Sequence, residues 1–232
     1  MTQITLKCPD CSGLNIKKNG IKKNKKQNYL CNDCERQFIG DHTLTYHGCN
    51  SELKSKIELM LVRGVGIRDI AEIEKISIVK VLSVLTNSDK LFTPKQNYYD
   101  AIEIDELWTY VGNKANKMWL FYAYHRTTGE MISWVWGKRD YKTVRSLREK
   151  LKKLGVTFGT IYTDDFSSFV KAFKSDNHII GKKNTVGIEG NNCRLRHRIR
   201  RAFRKTCCFS KKVLNHLKAF QLAICYINFG HV

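Results

Sequence analysis

Four cysteines in two closely spaced pairs constrain the N-terminal part of the chain more than any other feature. Cys8 and Cys11 form one pair, Cys31 and Cys34 form the other, and 19 residues lie between the pairs. Two such pairs at this spacing are typical of a structural zinc site with four thiolate ligands. A short segment buries little apolar surface, and metal binding supplies the stability that is missing. Residues 1–48 are therefore predicted to form a zinc ribbon around one Zn²⁺.

The sequence contains no stretch that resembles a secretory signal or an apolar run of the roughly 20 residues that cross a bilayer. We therefore expect a cytoplasmic, nucleoid-associated protein without membrane contact. In that compartment cysteines are thiols or metal ligands rather than disulfides, which agrees with the predicted zinc site.

The charge of the chain points to a polyanionic partner. The 232 residues include 41 Lys and Arg against 21 Asp and Glu, for a net charge of +20 at pH 7. Residues 182–218 hold twelve basic side chains and one acid, whereas residues 51–100 are nearly neutral. Such clustering is typical of a protein that binds the phosphates of double-stranded DNA. The residues predicted to contact DNA in this way are Lys22, Lys23, Lys25, Lys26, Arg194, Arg198, Arg200 and Arg201.

Residues 49–90 carry a helical apolar pattern that two glycines interrupt. It predicts a helix from Ser51, a second helix over 67–73, and a third helix with Ser77 as its N-cap. Three short helices with tight turns favour a helix-turn-helix unit, whose third helix would read DNA through Ser77 and Lys80. A plain three-helix bundle or a dimerisation module is the alternative.

The C-terminal part, residues 100–232, alternates strand-like and helix-like segments after a predicted linker at residues 91–99. Three strands in a row are followed by a helix, a strand, a helix, a strand and a long basic helix. This order is that of the ribonuclease H-like fold, a mixed sheet with flanking helices. We therefore expect an α+β chain of three modules, with the C-terminal module as the catalytic domain.

The predicted order of elements brings three acidic residues together. Asp105 lies in the first strand of the module, Asp164 at the end of the fourth strand, and Glu189 at the start of the last helix. Carboxylates are the ligands that Mg²⁺ prefers, and three of them can hold two ions about 4 Å apart for phosphoryl transfer. Position alone leaves open whether Asp164 or Asp165 is the ligand.

Several stretches of the sequence resemble transposases of the insertion sequence one family. They are IDELWTYVG at 104–112, WLFYAY at 119–124, YTD at 162–164, and Ile188 and Glu189 with Asn192 and Arg196. The resemblance extends over nearly the whole chain, including the predicted zinc and helix-turn-helix parts.

This resemblance implies a DDE transposase whose acidic triad is Asp105, Asp164 and Glu189, and it favours Asp164 over Asp165. Many DDE transposases carry a basic residue seven positions after the glutamate, where this chain has Arg196. Seven positions are about two helical turns, so Arg196 would share a face with Glu189 and hold a DNA phosphate beside the metal ions.

The same helix face carries Asn192 and Arg200, and Asn192 is predicted to contact DNA. The chain departs from the family pattern at Gly190 and Asn191, because basic residues often follow the glutamate directly in the family.

The sequence thus predicts an enzyme that binds the terminal inverted repeats of an insertion sequence, cleaves the DNA, and joins the freed 3′-hydroxyl to target DNA with Mg²⁺ or Mn²⁺. Since an element has two ends, a homodimer or larger assembly is expected on DNA. One alternative is a transcription regulator that uses only the first 90 residues. The other is a structure-selective nuclease with the same fold.

Overall fold

The computed structural model describes residues 6–23, 25–39, 51–88, 92–202 and 209–231, apart from the side chain of Ser51. The chain divides into two compact units, Met1–Leu53 and Lys54–Val232. No helix in these described ranges is long and apolar enough to cross a membrane.

The N-terminal unit contains a small antiparallel sheet. Its strands, in spatial order, are β1 (Ile16–Ile21), β2 (Gln27–Cys31) and β3 (Gln37–Ile39). The buried cluster on this sheet consists of Cys8, Cys31 and Phe38, with the ring of Tyr29 stacked against Phe38. So small an apolar cluster buries little surface. A unit of this size is usually stabilised by a further contribution, such as a bound metal ion.

Three short helices follow, and the first of them runs across the boundary between the two units. They are α1 (Ser51–Val62), α2 (Ile67–Ile73) and α3 (Ile78–Thr86). The break after α1 includes Gly64 at a φ of 79°, a left-handed conformation that glycine adopts without strain. The Ser77 side chain accepts a hydrogen bond of 3.1 Å from the backbone N–H of Lys80, so it caps α3. The predicted second and third helices and the Ser77 cap are confirmed.

A five-stranded mixed sheet with helices on both faces forms the rest of the second unit. Its elements in chain order are β4 (Tyr98–Tyr110), β5 (Lys117–His125), β6 (Glu130–Gly137), α4 (Tyr141–Lys153), β7 (Thr157–Thr163), α5 (Ser167–Ala172), β8 (His178–Ile180), α6 (Val186–Arg198) and α7 (Val213–Phe229). The strand order is β6-β5-β4-β7-β8. Strands β4 to β6 are antiparallel, whereas β7 is parallel to β4 and β8 is parallel to β7.

The order of elements up to α6 is the predicted one, but two boundaries differ. Strand β4 begins at Tyr98, inside the range predicted as a linker. The predicted long basic helix is shorter than expected, because α6 ends at Arg198 and Ile199 turns inward to a buried position. A short 3-10 helix over Arg200–Ala202 follows, and α7 is a separate element that the sequence analysis missed.

The two faces of the large sheet bury separate cores, because side chains alternate along each strand. Ile102 and Ile104 of β4 pack with the residues of α4 and α5. Leu107 packs with the residues of α6 and α7 on the opposite face. By the same alternation Glu103 and Asp105 belong to the α6 and α7 face.

Helices α1 and α3 pack against α7, so residues 54–88 share one compact unit with the sheet. Val62 and Leu85 form a buried cluster with Leu222 of α7. Beside it, Nη2 of Arg63 donates a hydrogen bond of 2.9 Å to the hydroxyl of Tyr226.

Candidate functional site

The parallel pairing of β4 with β7 places two of the predicted acids side by side. Glu103 of β4 is opposite Tyr162 of β7, and two residues further this register makes Asp105 level with Asp164. Burial is the main reason why the pKa of Asp105 is raised to about 6, and the negative charges of Glu106 and Asp164 add to the effect. The two acids therefore interact electrostatically.

Asp164, rather than Asp165, is the acid that interacts with Asp105. The Asp164 carboxylate accepts a hydrogen bond of 3.1 Å from the N–H of Phe166, in the turn that follows β7. Its charge also acts on Glu106, whereas Asp165 is exposed. Of the two aspartates, it is therefore Asp164 whose charge acts on the predicted site.

Helix α6 is joined to Asp105 by Asn192. The Asn192 Nδ2 group donates a hydrogen bond of 2.9 Å to Asp105 Oδ2, and Asp105 Oδ1 accepts the N–H of Glu106 at 2.8 Å. The hydroxyl of buried Tyr122 donates to Asn192 Oδ1 at 2.7 Å and fixes the orientation of the amide. Asn192, predicted as a DNA contact, is instead only 5% exposed, because its amide is used within the protein.

Glu103 holds the first turn of α6 in place. Its buried carboxylate accepts the N–H of Ile188 at 2.7 Å and the Nε–H of Arg126 at 2.5 Å. Nη2 of Arg126 in turn donates to the carbonyl oxygen of Asn184, just before the helix, at 3.0 Å. A negative charge at a helix N-terminus is stabilising, and here it comes from a neighbouring strand because Thr185 provides no side-chain cap. The sequence analysis missed this role, because it depends on where a distant helix begins.

Glu189 stands in the first turn of α6, next to the residue that Glu103 binds, and is exposed. It precedes Asn192 by three positions, so the two side chains share one helix face. The carboxylates of Asp105, Asp164 and Glu189 do not all lie within 4.8 Å of one another in the described part of the chain. The structure thus brings two of the acids level on adjacent strands and places the third on the helix that Asn192 joins to Asp105.

The arginines of α6 differ in their surroundings. Arg194 and Arg196 are exposed, as is Arg200 just beyond the helix. Arg198 instead lies over the ring of Tyr226 at 4.7 Å, and its Nη1 is 3.4 Å from the carbonyl oxygen of Val62. Arg198, predicted as a DNA contact, therefore packs against α7 and the end of α1. The fifth arginine of this run, Arg201, is half-buried.

The residues of α3 that were predicted to contact DNA lie next to an exposed apolar surface that the sequence analysis did not predict. The hydroxyl of Ser77 is engaged as the helix cap, and the side chain of Lys80 is half-buried. The first turn of the helix exposes Ile78 and Val79, the latter to 74%.

The four paired cysteines of the N-terminal unit form a compact cluster. Their sulfur atoms all lie within 4.8 Å of one another, with Cys8 and Cys34 at 3.5 Å and Cys11 and Cys31 at 3.6 Å. Four sulfurs at about 2.3 Å from one tetrahedral Zn²⁺ would be separated by slightly more than these distances. Four thiol groups around one point fit a zinc ion.

The two cysteine turns share one backbone pattern. The N–H of Ser12 donates to the carbonyl of Cys8 at 3.0 Å, and the N–H of Glu35 donates to the carbonyl of Cys31 at 3.0 Å. Ser12 and Glu35 also both have φ near 60°. Such repetition indicates two equivalent knuckles, each of which presents two sulfurs.

The predicted DNA-binding lysines are exposed in the turn between β1 and β2: Lys22, Lys23, Lys25 and Lys26.

Comparison with known proteins gives consistent matches. Residues 100–230 match the family model of the IS1 transposase. The insertion element iso-IS1n protein InsB of Shigella dysenteriae is 41% identical over 116 residues, which are 50% of this chain and 87% of that protein. The insertion element IS1 2 protein InsB of Escherichia coli (strain K12) is 36% identical over 129 residues, or 56% of this chain and 74% of that protein.

Among solved structures, the catalytic core domain of BIV integrase matches with a TM-score of 0.39 and 15% identity, over 57% of this chain and 85% of that one. The family model covers more than half of the chain, and the two InsB proteins are matched over more than two thirds of their length. The chain therefore belongs to the IS1 transposase family, whose members are DNA-acting enzymes of transposition.

Proposed function

We propose that this transposase cleaves DNA at the ends of an insertion sequence and joins them to target DNA at a site made of Asp105, Asp164 and Glu189. One observation supports the proposal: Asp164, directly after β7, is level with Asp105 of the neighbouring strand β4, and Asn192 joins Asp105 to the helix of Glu189. Carboxylate oxygens converging in this way suit hard divalent cations. When bound, two Mg²⁺ or Mn²⁺ ions would activate the attacking oxygen and stabilise the leaving oxygen of the phosphodiester.

The protein's own groups set the geometry and the charge of this site. Asn192 orients the Asp105 carboxylate, and Glu103 fixes the start of the helix that carries Glu189. The pKa of Asp105, raised to about 6, means that its proton must be lost before a cation binds there. Arg196 lies on the exposed side of α6, where its guanidinium would hold a DNA phosphate beside the acids.

The remaining parts of the chain are assigned to DNA recognition. We assign the four-cysteine unit to a zinc ribbon and α1 to α3 to a helix-turn-helix, with the first turn of α3 directed at the major groove. There Ile78 and Val79 would contact thymine methyl groups and Lys80 a phosphate. The large sheet is assigned to the ribonuclease H-like class on its strand order and directions.

The DNA partner determines the expected assembly and location. Terminal inverted repeats at both ends of the element require at least two copies of the chain, so a homodimer or larger assembly forms on DNA. Binding to chromosomal DNA also places the protein in the cytoplasm with the nucleoid.

The decisive experiment compares Asp164→Asn with Asp165→Asn in the full chain. The substrate is a duplex that carries the element's terminal repeat, and cleavage and joining are measured with Mg²⁺ and with Mn²⁺. We expect metal-dependent joining in the wild type and in Asp165→Asn, and a loss of at least about 10³-fold in Asp164→Asn, because a metal ligand contributes several kcal/mol to the transition state. Binding of the duplex should persist in both variants.

Other outcomes would contradict particular parts of the proposal. Loss only in Asp165→Asn would move the ligand by one residue. Full activity in both variants would show that neither Asp164 nor Asp165 is needed for the reaction. Repeat-specific binding without any cleavage by the wild type would instead favour a regulator, and cleavage of branched DNA of any sequence would favour a nuclease.

A further inference from the structure

Arg139 is held by three separate contacts, and two of the residues it contacts are sequence neighbours of Asp105 and Asp164. It lies between β6 and α4, one residue before Asp140. Its Nε–H donates a hydrogen bond of 2.7 Å to Glu106, and its guanidinium carbon lies 4.2 Å from the centre of the Phe166 ring and 5.5 Å from that of Trp119. An arginine fixed at one nitrogen and stacked on an aromatic face loses little further freedom when it binds a ligand.

The two residues that hold Arg139 most closely are also bonded to the two acids. The N–H of Glu106 donates to Asp105 at 2.8 Å, and the N–H of Phe166 donates to Asp164 at 3.1 Å. Burial raises the pKa of Glu106, and the negative charge of Asp164 adds to this effect, whereas the pairing with Arg139 opposes it. The guanidinium is therefore held by side chains of the two chain segments whose backbone N–H groups bind Asp105 and Asp164, on the sheet face opposite Asp105.

A purely structural role accounts for only part of this arrangement. Glu106 has a side chain that is 6% exposed, so it needs a cation, and the Nε–H of Arg139 pairs with Glu106 Oε1, whereas the buried Oε2 has no hydrogen-bond partner in the part of the chain that the structure describes. The Arg139 side chain is nevertheless 44% exposed. Among the described residues, its Nη1 and Nη2 groups have no hydrogen-bond partner, so two nitrogens of the planar fork remain for an external anion.

We propose that Arg139 is a phosphate-binding residue of the catalytic site, which holds a phosphodiester of the DNA strand next to the one that reacts. Two N–H groups in a plane match two phosphate oxygens, a bidentate pairing that lysine does not provide. Contacts of this kind position the backbone without reading its sequence. The inference rests on the proposed function, because it takes the neighbouring acids as the reacting centre.

The test uses the salt dependence of DNA binding by the full chain, with a duplex of the terminal repeat and one of unrelated sequence. Each phosphate contact contributes about one unit to the slope of log K against log salt. We expect Arg139→Gln to reduce the slope by about 1 on both duplexes. Arg148→Gln is the matched control, because Arg148 also pairs with a carboxylate, Asp176, at 2.8 Å and lies over an aromatic ring, Phe173, at 5.8 Å. That control should keep the wild-type slope.

A double variant separates phosphate binding from structural pairing. Glu106→Gln with Arg139→Gln removes both charges, so a pair that only neutralised Glu106 would return to the wild-type slope and joining rate. Phosphate binding instead predicts that the slope stays reduced. Arg139→Lys keeps the charge without the fork and should retain the slope but raise the KM for DNA in joining.

Three results would overturn the inference: an unchanged slope in Arg139→Gln, full recovery in the double variant, or wild-type KM in Arg139→Lys. If Arg139→Gln fails to fold, as judged by circular dichroism, the KM of Arg139→Lys decides alone. The proposed function is tested independently of Arg139. It would be contradicted if Asp164→Asn kept its joining activity, whatever the results for the Arg139 variants.

Discussion

The four-cysteine cluster and the acidic site of this chain are assembled in different ways. The four cysteines come from two short turns with the same backbone pattern, and the spacing of two pairs suffices to locate them. The acidic site instead joins residues that are up to 87 positions apart, as in the hydrogen bond from Asn192 to Asp105. It exists only when strand register, helix position and buried polar contacts all agree.

This difference determines how each site should respond to amino-acid substitutions. A knuckle is determined by its own few residues, so the cluster should form or fail as one local event with its metal. The acidic site depends on supporting residues such as Glu103 and Tyr122, which do not react but fix those that do. Changes there should reduce activity in a graded way without removing any ligand.

The largest expected effect is on the cysteine cluster. Cys31→Ser should unfold the N-terminal unit, because zinc binding in small domains contributes on the order of 10 kcal/mol of folding free energy. The second unit has its own core and should stay folded. Zinc content by atomic absorption and amide hydrogen exchange in the full chain would measure both effects.

A matched control is Cys193→Ser, since Cys193 is an exposed thiol outside the cluster. It should keep the zinc content and the protection of β1 to β3. Protection of these strands in zinc-free Cys31→Ser protein would contradict the idea that the metal stabilises this unit.

The next effect concerns the support of α6. Glu103→Ala removes the acceptor of the Ile188 N–H and leaves Arg126 without its buried partner. We expect the free energy of unfolding to fall by about 3 kcal/mol, because the buried N–H of Ile188 is left unpaired and the half-exposed Arg126 loses its partner. Urea unfolding of the second unit would measure it, with Glu149→Ala of the exposed Arg145 pair as a control that changes little. An equally small loss in both variants would show that Glu103 does not hold the helix.

These examples show how far the sequence could predict this structure. The Ser77 cap and the bounds of α2 and α3 depend on residues within one helical turn, so the local pattern predicted them. The role of Glu103 depends on where a distant helix begins, and the end of α6 depends on the burial of Ile199. Neither is visible in spacing alone. The family resemblance indicated Asp164, but only the strand register places it beside Asp105.

A smaller effect on stability follows from the charge of Asp105. Its pKa is raised from 3.8 to about 6, so the folded chain binds a proton that the unfolded chain has lost between these pH values. The free energy of unfolding should therefore fall as pH rises from about 4 to about 6, by about 2 to 3 kcal/mol at 1.4 kcal/mol for each pKa unit.

Asp105→Asn should abolish this decrease and be more stable than the wild type at pH 7. The measurement is thermal or urea unfolding without added Mg²⁺ or Mn²⁺. It is taken as the difference between the two proteins, in which any pH effect on the four-cysteine cluster cancels. If the wild type had a larger free energy of unfolding than Asp105→Asn at pH 7, the ionised carboxylate would be stabilised rather than destabilised by its neighbours.

The smallest expected effect, Asn192→Ala, tests the link between α6 and Asp105. The substitution removes the donor to Asp105 and the acceptor of the Tyr122 hydroxyl, but it leaves all three acids in place. Loss of such an orienting partner typically costs 10- to 100-fold in metal affinity or activity, so joining should fall by about that factor and recover in part at high Mn²⁺. Asn192→Asp would place a third negative charge beside two acids and should not restore joining. If Asn192 instead served as a DNA contact, the alanine variant would lose affinity for the duplex and keep its metal dependence, and the acidic site would then assemble without help from α6.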